Sequence, residues 1–416
     1  MDEFRNEYFT MDDFDFRGKT ILLRLDLNSP IHPLTGEIMG DARFRSHIKT
    51  INSLKESRII IMAHQSRPGK DDFTSLKDHS RRLEKIIGRK VAFIDSLFGS
   101  EVIRYIESMK NGDIVMLENT RFYSEDVTLD ASDLDTIEKT NLVRILSGHV
   151  DYFINDAFPA IHRNQVSLTG FTRKIPNVMG RLIEDEIRAL DAFTGKKNGK
   201  KIAILAGAKI DDSIAVSESF LKNKITSSVC VGGVVANAFL WASGRNIGKK
   251  NEDFIIKNNK NHDKLIKKCR ELLEKYGNSI ITPVDFILNP SKIRISLGEE
   301  IPNDQIMADI GPDSIALFTE KIRNAGSIFI NGPMGMYEMD GYQSGTYEIL
   351  EEIAKSKALT IAGGGHTISA IETIGLGKYI GHISTGGGAL ISYLSGEPMP
   401  VLEALKQSKK HFDKGE

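Results

Sequence analysis

This sequence has few cysteines, almost no net charge and no long apolar runs. Among its 416 residues only Cys230 and Cys269 are cysteines, and neither has a metal-type partner at short spacing. Two isolated thiols argue against a disulfide framework or a zinc site and favour a reducing compartment. The formal net charge of −1 argues against a nucleic-acid-binding surface, which needs a strong basic excess.

Features that mark membrane proteins, secreted proteins and common nucleotide-binding proteins are missing too. No apolar run approaches the length that spans a bilayer, and residues 1–10 are acidic and polar, unlike a signal peptide. We therefore predict a cytoplasmic protein that has neither a membrane nor a nucleic acid as a partner. Gly18, Lys19 and Thr20 resemble the end of a P-loop, but Asp13 stands where its first glycine is required. A dinucleotide fingerprint and the protein-kinase motifs are also absent, so a bound nucleotide needs another arrangement of glycines.

Short apolar runs, each followed by a helical pattern, dominate what the sequence does contain. The runs are nearly continuous in Val, Ile and Leu, which is typical of strands buried on both faces of a parallel sheet. A chain of 416 residues also exceeds what one hydrophobic core usually supports. We predict an α/β protein with two Rossmann-like domains, each with a parallel sheet flanked by helices, joined by a hinge helix. The predicted strands cover residues 21–27, 58–64, 91–94, 113–119, 150–155, 201–207, 228–233, 280–286, 327–332, 359–363 and 383–386, and clear helical stretches cover residues 80–87, 263–276 and 313–325.

The predicted connection between the domains lies at residues 180–193. Apolar residues at positions 182, 183, 187 and 190 recur there at helical spacing, and a basic segment that contains glycine follows. We place the first domain at residues 1–178, the connecting helix at residues 179–195 and the second domain at residues 196–400.

Charged and amide side chains mark the strand ends of the first half. Arg24, Asp26 and Asn28 alternate, which puts all three on one face of the first strand, where an apolar core would exclude them. Each arginine alone would more often make a surface ion pair, but arginines at several strand ends form a lining of forked donors that suits phosphate and carboxylate. Because ligands of parallel sheets bind at the carboxyl ends of the strands, we predict an anion site there. The other residues at or just after strand ends are Arg43, His64, Gln65, Ser66, Arg67, Arg121 and Arg163.

Glycines mark the strand ends of the second half. Glycine lets a backbone approach a ligand closely, and a helix that follows offers free N–H groups to phosphate. A lone glycine triplet would more often be a tight turn, but two triplets, one of them before a helix that begins at Thr367, favour a polyphosphate site. The segments concerned contain Gly207, Gly232, Gly233, Asn331, Gly332, Pro333, Gly363, Gly364, Gly365, Gly386, Gly387 and Gly388.

These motifs resemble phosphoglycerate kinase, and the match runs along nearly the whole chain. Many independent motifs follow one another in the family's order, and the residues around Arg67 and Asp72 and around Asp211 and Ser213 are similar to the archaeal branch. The matching segments are RLDLN from Arg24, HQSRP from His64, LENTRF from Leu117, NDAF from Asn155, GAK from Gly207, DIGP from Asp309, NGPMG from Asn331 and STGGG from Ser384.

The resemblance implies reversible phosphoryl transfer between 1,3-bisphosphoglycerate with ADP and 3-phosphoglycerate with ATP, using Mg²⁺. It implies that Asp26 and Asn28 meet the glycerate part of the acid and that Arg43 faces the transferring group. The non-transferring phosphate is implied to lie among His64, Arg67, Arg121 and Arg163, with Leu27, Gln65 and Ser66 as further substrate-binding residues.

On the nucleotide side, the resemblance implies that Lys209 faces the transferring group and that Glu338 binds the ribose hydroxyls. Gly363, Gly364 and Gly365 match the phosphate loop. The other implied nucleotide-binding residues are Gly207, Gly232, Gly233, Asn331, Pro333, His366 and Thr367. Residues 401–416 are implied to return to the first domain, and we expect a monomer or a homodimer.

Three residues depart from the family pattern. Ser66 replaces a glycine, Ser213 replaces a lysine, and His366 stands where much of the family has an aspartate that helps to place the metal and nucleotide. Neutral imidazole is a poor magnesium ligand, so the metal ligands stay unassigned. Two interpretations of His366 are open, a protonated ring that contacts phosphate or a side chain that points away and leaves only its backbone N–H.

The chemistry that the family implies agrees with the residues present. A carboxylate acceptor is already ionised, so transfer needs in-line positioning and charge stabilisation rather than a strong base. One alternative is a non-catalytic or differently specific sugar-acid-binding protein, and another is a nucleotide-binding assembly protein, which would leave the arginines without a role. The presence of both Arg43 and Lys209 favours the enzyme.

Overall fold

The chain folds into two compact units in a computed structural model that describes residues 3–129, 133–195 and 199–413. Unit 1 comprises Met1–Ile187 and Pro398–Glu416, and unit 2 comprises Arg188–Glu397. The division falls inside one helix, Arg181–Thr194.

Unit 1 is built on a six-stranded sheet in which every neighbouring pair is parallel. The order across the sheet is β3-β4-β2-β1-β5-β6, so the chain leaves β1 toward one side and later returns to place β5 on its other side. The strands are β1 (Thr20–Arg24), β2 (Arg58–Met62), β3 (Ala92–Ile94), β4 (Ile114–Leu117), β5 (Tyr152–Asn155) and β6 (Asn177–Met179).

Both faces of this sheet are buried, which explains the continuous apolar runs. Ile21 and Leu23 of β1 belong to one core cluster, and Leu22 between them belongs to the cluster on the opposite face. Successive side chains of a strand point to opposite faces, so a strand covered on both sides needs apolar residues at every position. The predicted parallel sheet is therefore confirmed.

Short helices cover this sheet. The predicted helix 80–87 begins earlier, at Lys77, and ends where Gly88 takes a left-handed φ of 66°. The helices are α1 (Glu3–Glu7), α2 (Ala42–Ser46), α3 (Ile48–Ser53), α4 (Lys77–Ile87), α5 (Ser100–Ser108), α6 (Ser124–Thr128), α7 (Leu134–Ile137), α8 (Asn141–Leu146), α9 (Val166–Thr169) and α10 (Arg181–Thr194).

Unit 2 has its own six-stranded parallel sheet, in the order β15-β14-β13-β7-β8-β9, and a separate antiparallel sheet in the order β11-β10-β12. The antiparallel sheet was not predicted. The strands are β7 (Lys201–Leu205), β8 (Ser228–Val231), β9 (Ile280–Ile281), β10 (Asp285–Asn289), β11 (Arg294–Ser296), β12 (Ile306–Ile310), β13 (Ser327–Asn331), β14 (Leu359–Gly363) and β15 (His382–Ile383).

The prediction of one strand over residues 280–286 is wrong. The run is divided between β9 in the parallel sheet and β10 in the antiparallel sheet. Pro283 has no N–H to give to a ladder, and the N–H groups of Val284 and Asp285 donate instead to Ser314 Oγ at 2.9 and 3.0 Å. The parallel pairing of β9 with β8 therefore ends at Ile281, and the chain continues into the antiparallel sheet.

Helices also flank the sheet of unit 2. The predicted helix 263–276 begins one residue earlier, at His262, and the predicted helix 313–325 begins at Pro312 and ends at Arg323. The helices are α11 (Ile210–Lys222), α12 (Gly233–Ala242), α13 (Lys249–Asn258), α14 (His262–Tyr276), α15 (Pro312–Arg323), α16 (Ser344–Lys355), α17 (Gly365–Thr373) and α18 (Gly387–Leu394).

The last helix, α19 (Pro400–Phe412), belongs to unit 1. The Val401 N–H donates to the Ile161 carbonyl at 3.2 Å, and the Asn177 N–H donates to Ser408 Oγ at 2.9 Å. These two bonds attach the helix to the turn that ends at Ile161 and to the edge strand β6. Across the described residues, none of the helices combines the length and the apolar character that a bilayer crossing requires.

Candidate active site

The carboxyl ends of β1 and β5 form the crevice of unit 1. The strand order reverses between these neighbours, and Arg24 at the end of β1 is in register with Asn155 at the end of β5. Parallel sheets bind ligands at such a reversal, outside the carboxyl ends of the strands. Asp26 and Asn28 follow β1 directly, so the sheet delivers them to this crevice.

Arg43 and Asp26 form an ion pair at the crevice. Arg43 lies on α2, and its Nη1 donates to Asp26 Oδ2 at 2.5 Å. The Asp26 side chain is 5% exposed and that of Arg43 is 32% exposed. Burial opposes ionisation of Asp26, but Arg43, Arg24 and the Asn28 N–H outweigh it and keep the pKa of that carboxyl below its ordinary value. The predicted catalytic arginine is therefore held beside a buried carboxylate.

His64 lies two residues beyond β2, beside Arg24. Its Nδ1 is 3.2 Å from Arg24 Nη2, and both residues are buried. Burial, together with the nearby Arg24, Arg121 and Arg163, lowers the pKa of His64 well below 6.5 even though Asp26 opposes them. The imidazole is therefore neutral at neutral pH.

Arginines gather around this histidine. Arg121 sits in a tight turn after β4, where Asn119 Oδ1 accepts the Arg121 N–H at 3.1 Å and the guanidinium donates to the Ser66 carbonyl. Burial first, and then repulsion by Arg163 and Arg24, lowers the pKa of Arg121 to about 10, so it stays protonated. Like charges that repel one another in a partly buried crevice gain from an anion between them. Arg67 is exposed on the turn after His64.

Two of the predicted substrate-binding side chains are buried in contacts within the protein. Leu27 is fully buried in the apolar core. Gln65 is buried too, and its carboxamide accepts the Ser29 N–H at 3.1 Å and donates to the Ser29 carbonyl at 3.0 Å. His79 Nε2 lies 3.0 Å from the same Gln65 oxygen. Only the backbones of Leu27 and Gln65 are left to meet a ligand.

Ser66 adopts the conformation that usually calls for glycine. Its φ is 55°, which is left-handed and costly for a residue with a Cβ. Two contacts hold it there: its N–H donates to Asn28 Oδ1 at 2.8 Å, and its Oγ donates to Asp72 Oδ1 at 2.5 Å. The hydroxyl thus supplies a bond that glycine could not make.

In unit 2 the reversal of strand order lies between β7 and β13, and glycines bring their loops into contact. Gly332 has a φ of 94°, and a Cβ on it would lie 2.0 Å from the Ala206 carbonyl oxygen. Its N–H donates to Thr367 Oγ1 at 2.7 Å, which ties this loop to the start of α17. A side chain at Gly332 would separate the loops.

The predicted phosphate loop joins β14 to α17. Gly364 precedes the helix with a φ of 83°, and a Cβ on it would lie 2.3 Å from Asn331 Oδ1. The first amides of α17 have no partner inside the helix, which makes this end an anion site. Lys209 is exposed at the start of α11, and Gly232 stands in the same position before α12. Of the predicted loop residues, Gly363 and Thr367 are buried and Gly365 and His366 are accessible.

An apolar cavity of about 470 Å³ opens beside these loops. Its wall is largely apolar, which suits a nucleobase. Sequence reasoning missed most of its wall, because apolar residues of α13 and β12 look like ordinary core residues in the sequence. The predicted residues on its wall are Gly207, Gly233, Pro333, Glu338 and His366, and the residues that were missed include Val234, Asn237, Phe254, Ile306, Met307, Ala308 and Met336.

His366 lies against Glu338. Its Nδ1 is 3.1 Å from Glu338 Oε1, and both side chains are largely exposed at the edge of the cavity. The ring is therefore directed toward the carboxylate, an arrangement that neither sequence-based interpretation of His366 included.

The residues of the phosphate loop do not fit a magnesium ion held by the protein. Magnesium prefers oxygen ligands, whereas the residue after the glycine triplet carries an imidazole. Within residues 3–129, 133–195 and 199–413, no group of three or more His, Cys, Asp or Glu side chains is placed to hold a metal ion.

Comparisons with known proteins match nearly the whole chain. The family model described as phosphoglycerate kinase matches residues 11–397. The phosphoglycerate kinase of Thermoplasma volcanium is 58% identical over 98% of this chain and 99% of its own, and that of Thermoplasma acidophilum is 57% identical over 98% and 100%. The crystal structure of phosphoglycerate kinase from Pyrococcus horikoshii has 39% identity and a TM-score of 0.88, covering 97% of this chain and 100% of that one. The archaeal relatives match the resemblance seen in the sequence, and this chain belongs to the phosphoglycerate kinase family.

Proposed function

We propose that this chain transfers a phosphoryl group reversibly between 1,3-bisphosphoglycerate with ADP and 3-phosphoglycerate with ATP, with the acid on unit 1 and the nucleotide on unit 2. The observation that carries the assignment is the positive charge around His64, where Arg24, Arg121 and Arg163 repel one another. A substrate with a phosphate and a carboxylate relieves that repulsion. The cavity of unit 2 supplies the complementary nucleotide site.

On unit 1, different side chains hold the two ends of the acid. Arg121, Arg163, Arg67 and His64 hold the phosphate that does not react, because forked guanidinium donors match its oxygens. Asp26 and Asn28 hold the hydroxyl and carboxylate region, with backbone groups of Leu27, Gln65 and Ser66 completing the site. The ion pair between Arg43 and Asp26 supports this division, since it keeps Arg43 near the carboxylate end.

On unit 2, the cavity holds the base, Glu338 the ribose hydroxyls and the glycine loops the phosphates. Gly207, Gly232, Gly233, Asn331 and Pro333 bring the backbone close to the nucleotide, and Gly363, Gly364, Gly365 and Thr367 form the start of α17 that receives a phosphate. His366 orients Glu338 through its Nδ1, which supports a role at the ribose rather than at the phosphates. Mg²⁺ arrives as part of the nucleotide substrate.

In the direction of ATP use, a carboxylate oxygen of 3-phosphoglycerate forms a bond to the γ-phosphorus as the bond from that phosphorus to the β–γ bridging oxygen breaks. The products are the acyl phosphate and ADP, and no proton moves at the reacting oxygens. The acceptor is ionised, so the chain needs donors for the charge on the transferring group rather than a base. Arg43 supplies one from the acid side and Lys209 one from the nucleotide side.

In-line transfer requires reacting atoms within about 3–3.5 Å, so we expect α10 to act as a hinge when both substrates bind. Small-angle scattering should then give a smaller radius of gyration for the doubly liganded enzyme than for the free enzyme. Equal radii would argue against the hinge. As for other features of a glycolytic enzyme, we expect a cytoplasmic monomer or homodimer.

Consumption of ATP in the presence of 3-phosphoglycerate tests the function directly. The wild-type chain should consume ATP with 3-phosphoglycerate and not with 2-phosphoglycerate, and Lys209→Ala should lose most of this activity. The matched control is Arg17→Ala, because Arg17 is exposed and its guanidinium is bound by Asp15. Binding of both ligands without turnover would instead support the non-catalytic binding protein.

A further inference from the structure

Arg24 is a fully buried arginine that lies next to His64 of the proposed substrate site. It ends β1, in register with Met62 of β2, and is 0% exposed. Its Nη2 lies 3.2 Å from His64 Nδ1, and its Nη1 donates to the Leu25 carbonyl. The proposed function counts Arg24 in the positive charge around His64 but assigns it no contact with the substrate. A buried arginine needs a reason to be there, because burial of an unpaired charge is costly.

Only one assignment of donor and acceptor fits the contact between Arg24 and His64. An arginine side chain carries donors and no acceptor, and it stays protonated in proteins. His64 Nδ1 must therefore be the acceptor, which means that it carries no proton. A neutral imidazole with a bare Nδ1 carries its single proton on Nε2.

The other ring nitrogen is aimed away from any protein partner. His64 Nε2 is buried and has no hydrogen-bond partner among the residues that the structure describes. A buried donor without a partner is destabilising, so such atoms in proteins usually meet a ligand or water. We propose that Arg24 is a positioning residue that holds His64 as the neutral Nε2–H tautomer, so that this N–H donates to an oxygen of the acid substrate. The inference rests on the proposed function, which makes that substrate an oxyanion.

Ser167 and Asp126 hold Arg24 in place. Its Nε donates to Ser167 Oγ at 3.4 Å, and Ser167 in turn donates to the buried Asp126 through its hydroxyl at 3.0 Å and its N–H at 2.7 Å. Attraction between Arg24 and Asp126 opposes the burial that raises the pKa of this carboxyl. The chain of contacts from Asp126 through Ser167 fixes the guanidinium, which fixes the ring.

The charges around His64 exclude the doubly protonated ring. Asp26 favours a charged imidazole, whereas Arg24, Arg121 and Arg163 all disfavour it. A proton on Nδ1 would also point at the N–H of Arg24. The ring therefore donates as a neutral group, and the arginines supply the charge that attracts the anion.

Nitrogen-15 NMR of protein labelled at its 10 histidines measures the tautomer without any substrate. Wild-type His64 should be protonated on Nε2 only, and Arg24→Met should populate the Nδ1–H form because the donor facing Nδ1 is gone. Arg58→Met is the matched control, since Arg58 lies on the neighbouring strand and its Nη2 donates to the Gly18 carbonyl at 3.0 Å. His47 is an internal reference, because Asp156 Oδ2 lies 2.8 Å from its Nδ1. An Nδ1–H form in the wild type, or an unchanged tautomer in Arg24→Met, would overturn the proposal.

A pair of substitutions at His64 tests the role of the Nε2–H even if Arg24→Met does not fold. The amide nitrogen of glutamine reaches about as far as Nε2, and that of asparagine about as far as Nδ1. His64→Asn should raise the dissociation constant of 3-phosphoglycerate by about tenfold to a hundredfold, as expected for a lost bond to a charged group. His64→Gln should raise it by less than about threefold, on the same scale. Equal losses in both variants would refute the donor role.

The two readouts separate this inference from the function on which it rests. If the wild-type chain did not bind 3-phosphoglycerate in calorimetry, the assignment of the acid site would fail, whatever the tautomer of His64. If it bound the acid while the free protein had the Nδ1–H form, only the role of Arg24 would fail.

Discussion

Replacement of Asp309 by asparagine should remove a large part of the pH dependence of unit 2 stability. Asp309 lies on β12, is 3% exposed, and accepts the Gly345 N–H on Oδ2 at 2.8 Å and the Ile310 N–H on Oδ1 at 2.9 Å. Burial raises its pKa from 3.8 to about 7, Glu348 adds to this, and the two N–H groups only partly oppose it. Met307 and Ala308, which precede Asp309 in β12, line the apolar cavity of unit 2.

The sign and size of the effect follow from this pKa. The folded state binds a proton at Asp309 between pH 3.8 and about 7, where the unfolded chain has already lost it. Stability therefore falls as pH rises through this window, by about 1.4 kcal/mol per pH unit, and the loss is complete above pH 7. The whole window corresponds to about 4 kcal/mol, and the part between pH 5 and pH 8 to about 2.5 kcal/mol.

Urea unfolding of the full chain at pH 5 and pH 8 measures the effect. The only tryptophan, Trp241 on α12, reports unit 2 by its fluorescence. The introduced carboxamide has one acceptor fewer at either pH, so Asp309→Asn is destabilising at pH 5, but its disadvantage relative to the wild type should shrink by about 2.5 kcal/mol at pH 8. Asp263→Asn is the control, because Asp263 is 97% exposed. A disadvantage of Asp309→Asn that is the same at both pH values would refute a protonated Asp309.

Three further substitutions test the division of roles at the site. Arg43→Ala should lower kcat by about a hundredfold or more while 3-phosphoglycerate binding changes less. Arg43→Lys is the control, because it keeps a positive charge beside Asp26 and so separates a loss of activity from a loss of stability. A raised KM with a normal kcat in Arg43→Ala would show that Arg43 only binds the substrate. Arg121→Ala should weaken 3-phosphoglycerate and leave ATP affinity of the free enzyme unchanged, and loss of ATP binding in calorimetry would contradict the assignment of the two units. His366→Ala should weaken adenosine and ADP alike, by about two- to fivefold as for an exposed pair with Glu338; an effect on ADP alone would favour contact with phosphate.

The strands were predictable because burial on both faces leaves a strong signal. Residues of β1, β2 and β7 are apolar at every position that touches a core, so the sequence marks them clearly. The edge strand β6 has three residues and was not predicted, because so short a run carries little pattern. The antiparallel sheet was missed for another reason. The redirection of Val284 and Asp285 toward Ser314 is a tertiary contact across 30 residues, and no local pattern encodes it.

Candidate site residues stand out in the sequence where their chemistry is unusual, and they are hidden where it is ordinary. Arginines and glycines at strand ends conflict with a simple core, so the sequence identifies them. Phe254 and Met307 line the cavity, but each also fits an ordinary amphipathic helix or strand, so the sequence cannot separate them from core residues. Gln65 is the reverse case, since it stands among the motif residues while its side chain is bound to Ser29.

The departures from the family pattern are better understood as exchanges within local networks than as isolated losses. Ser66 takes a left-handed backbone, which glycine adopts most easily, and the hydroxyl bond to Asp72 offsets the strain that its Cβ brings. Ser213 is buried on α11, one turn after Lys209, where its carbonyl accepts the Ser217 hydroxyl at 2.7 Å. A lysine at that buried position would have to bring its charge out to the surface, whereas Lys209 at the start of the same helix is already exposed. The proposed nucleotide side therefore offers backbone amides and the exposed Lys209, whereas the proposed acid side offers several arginines.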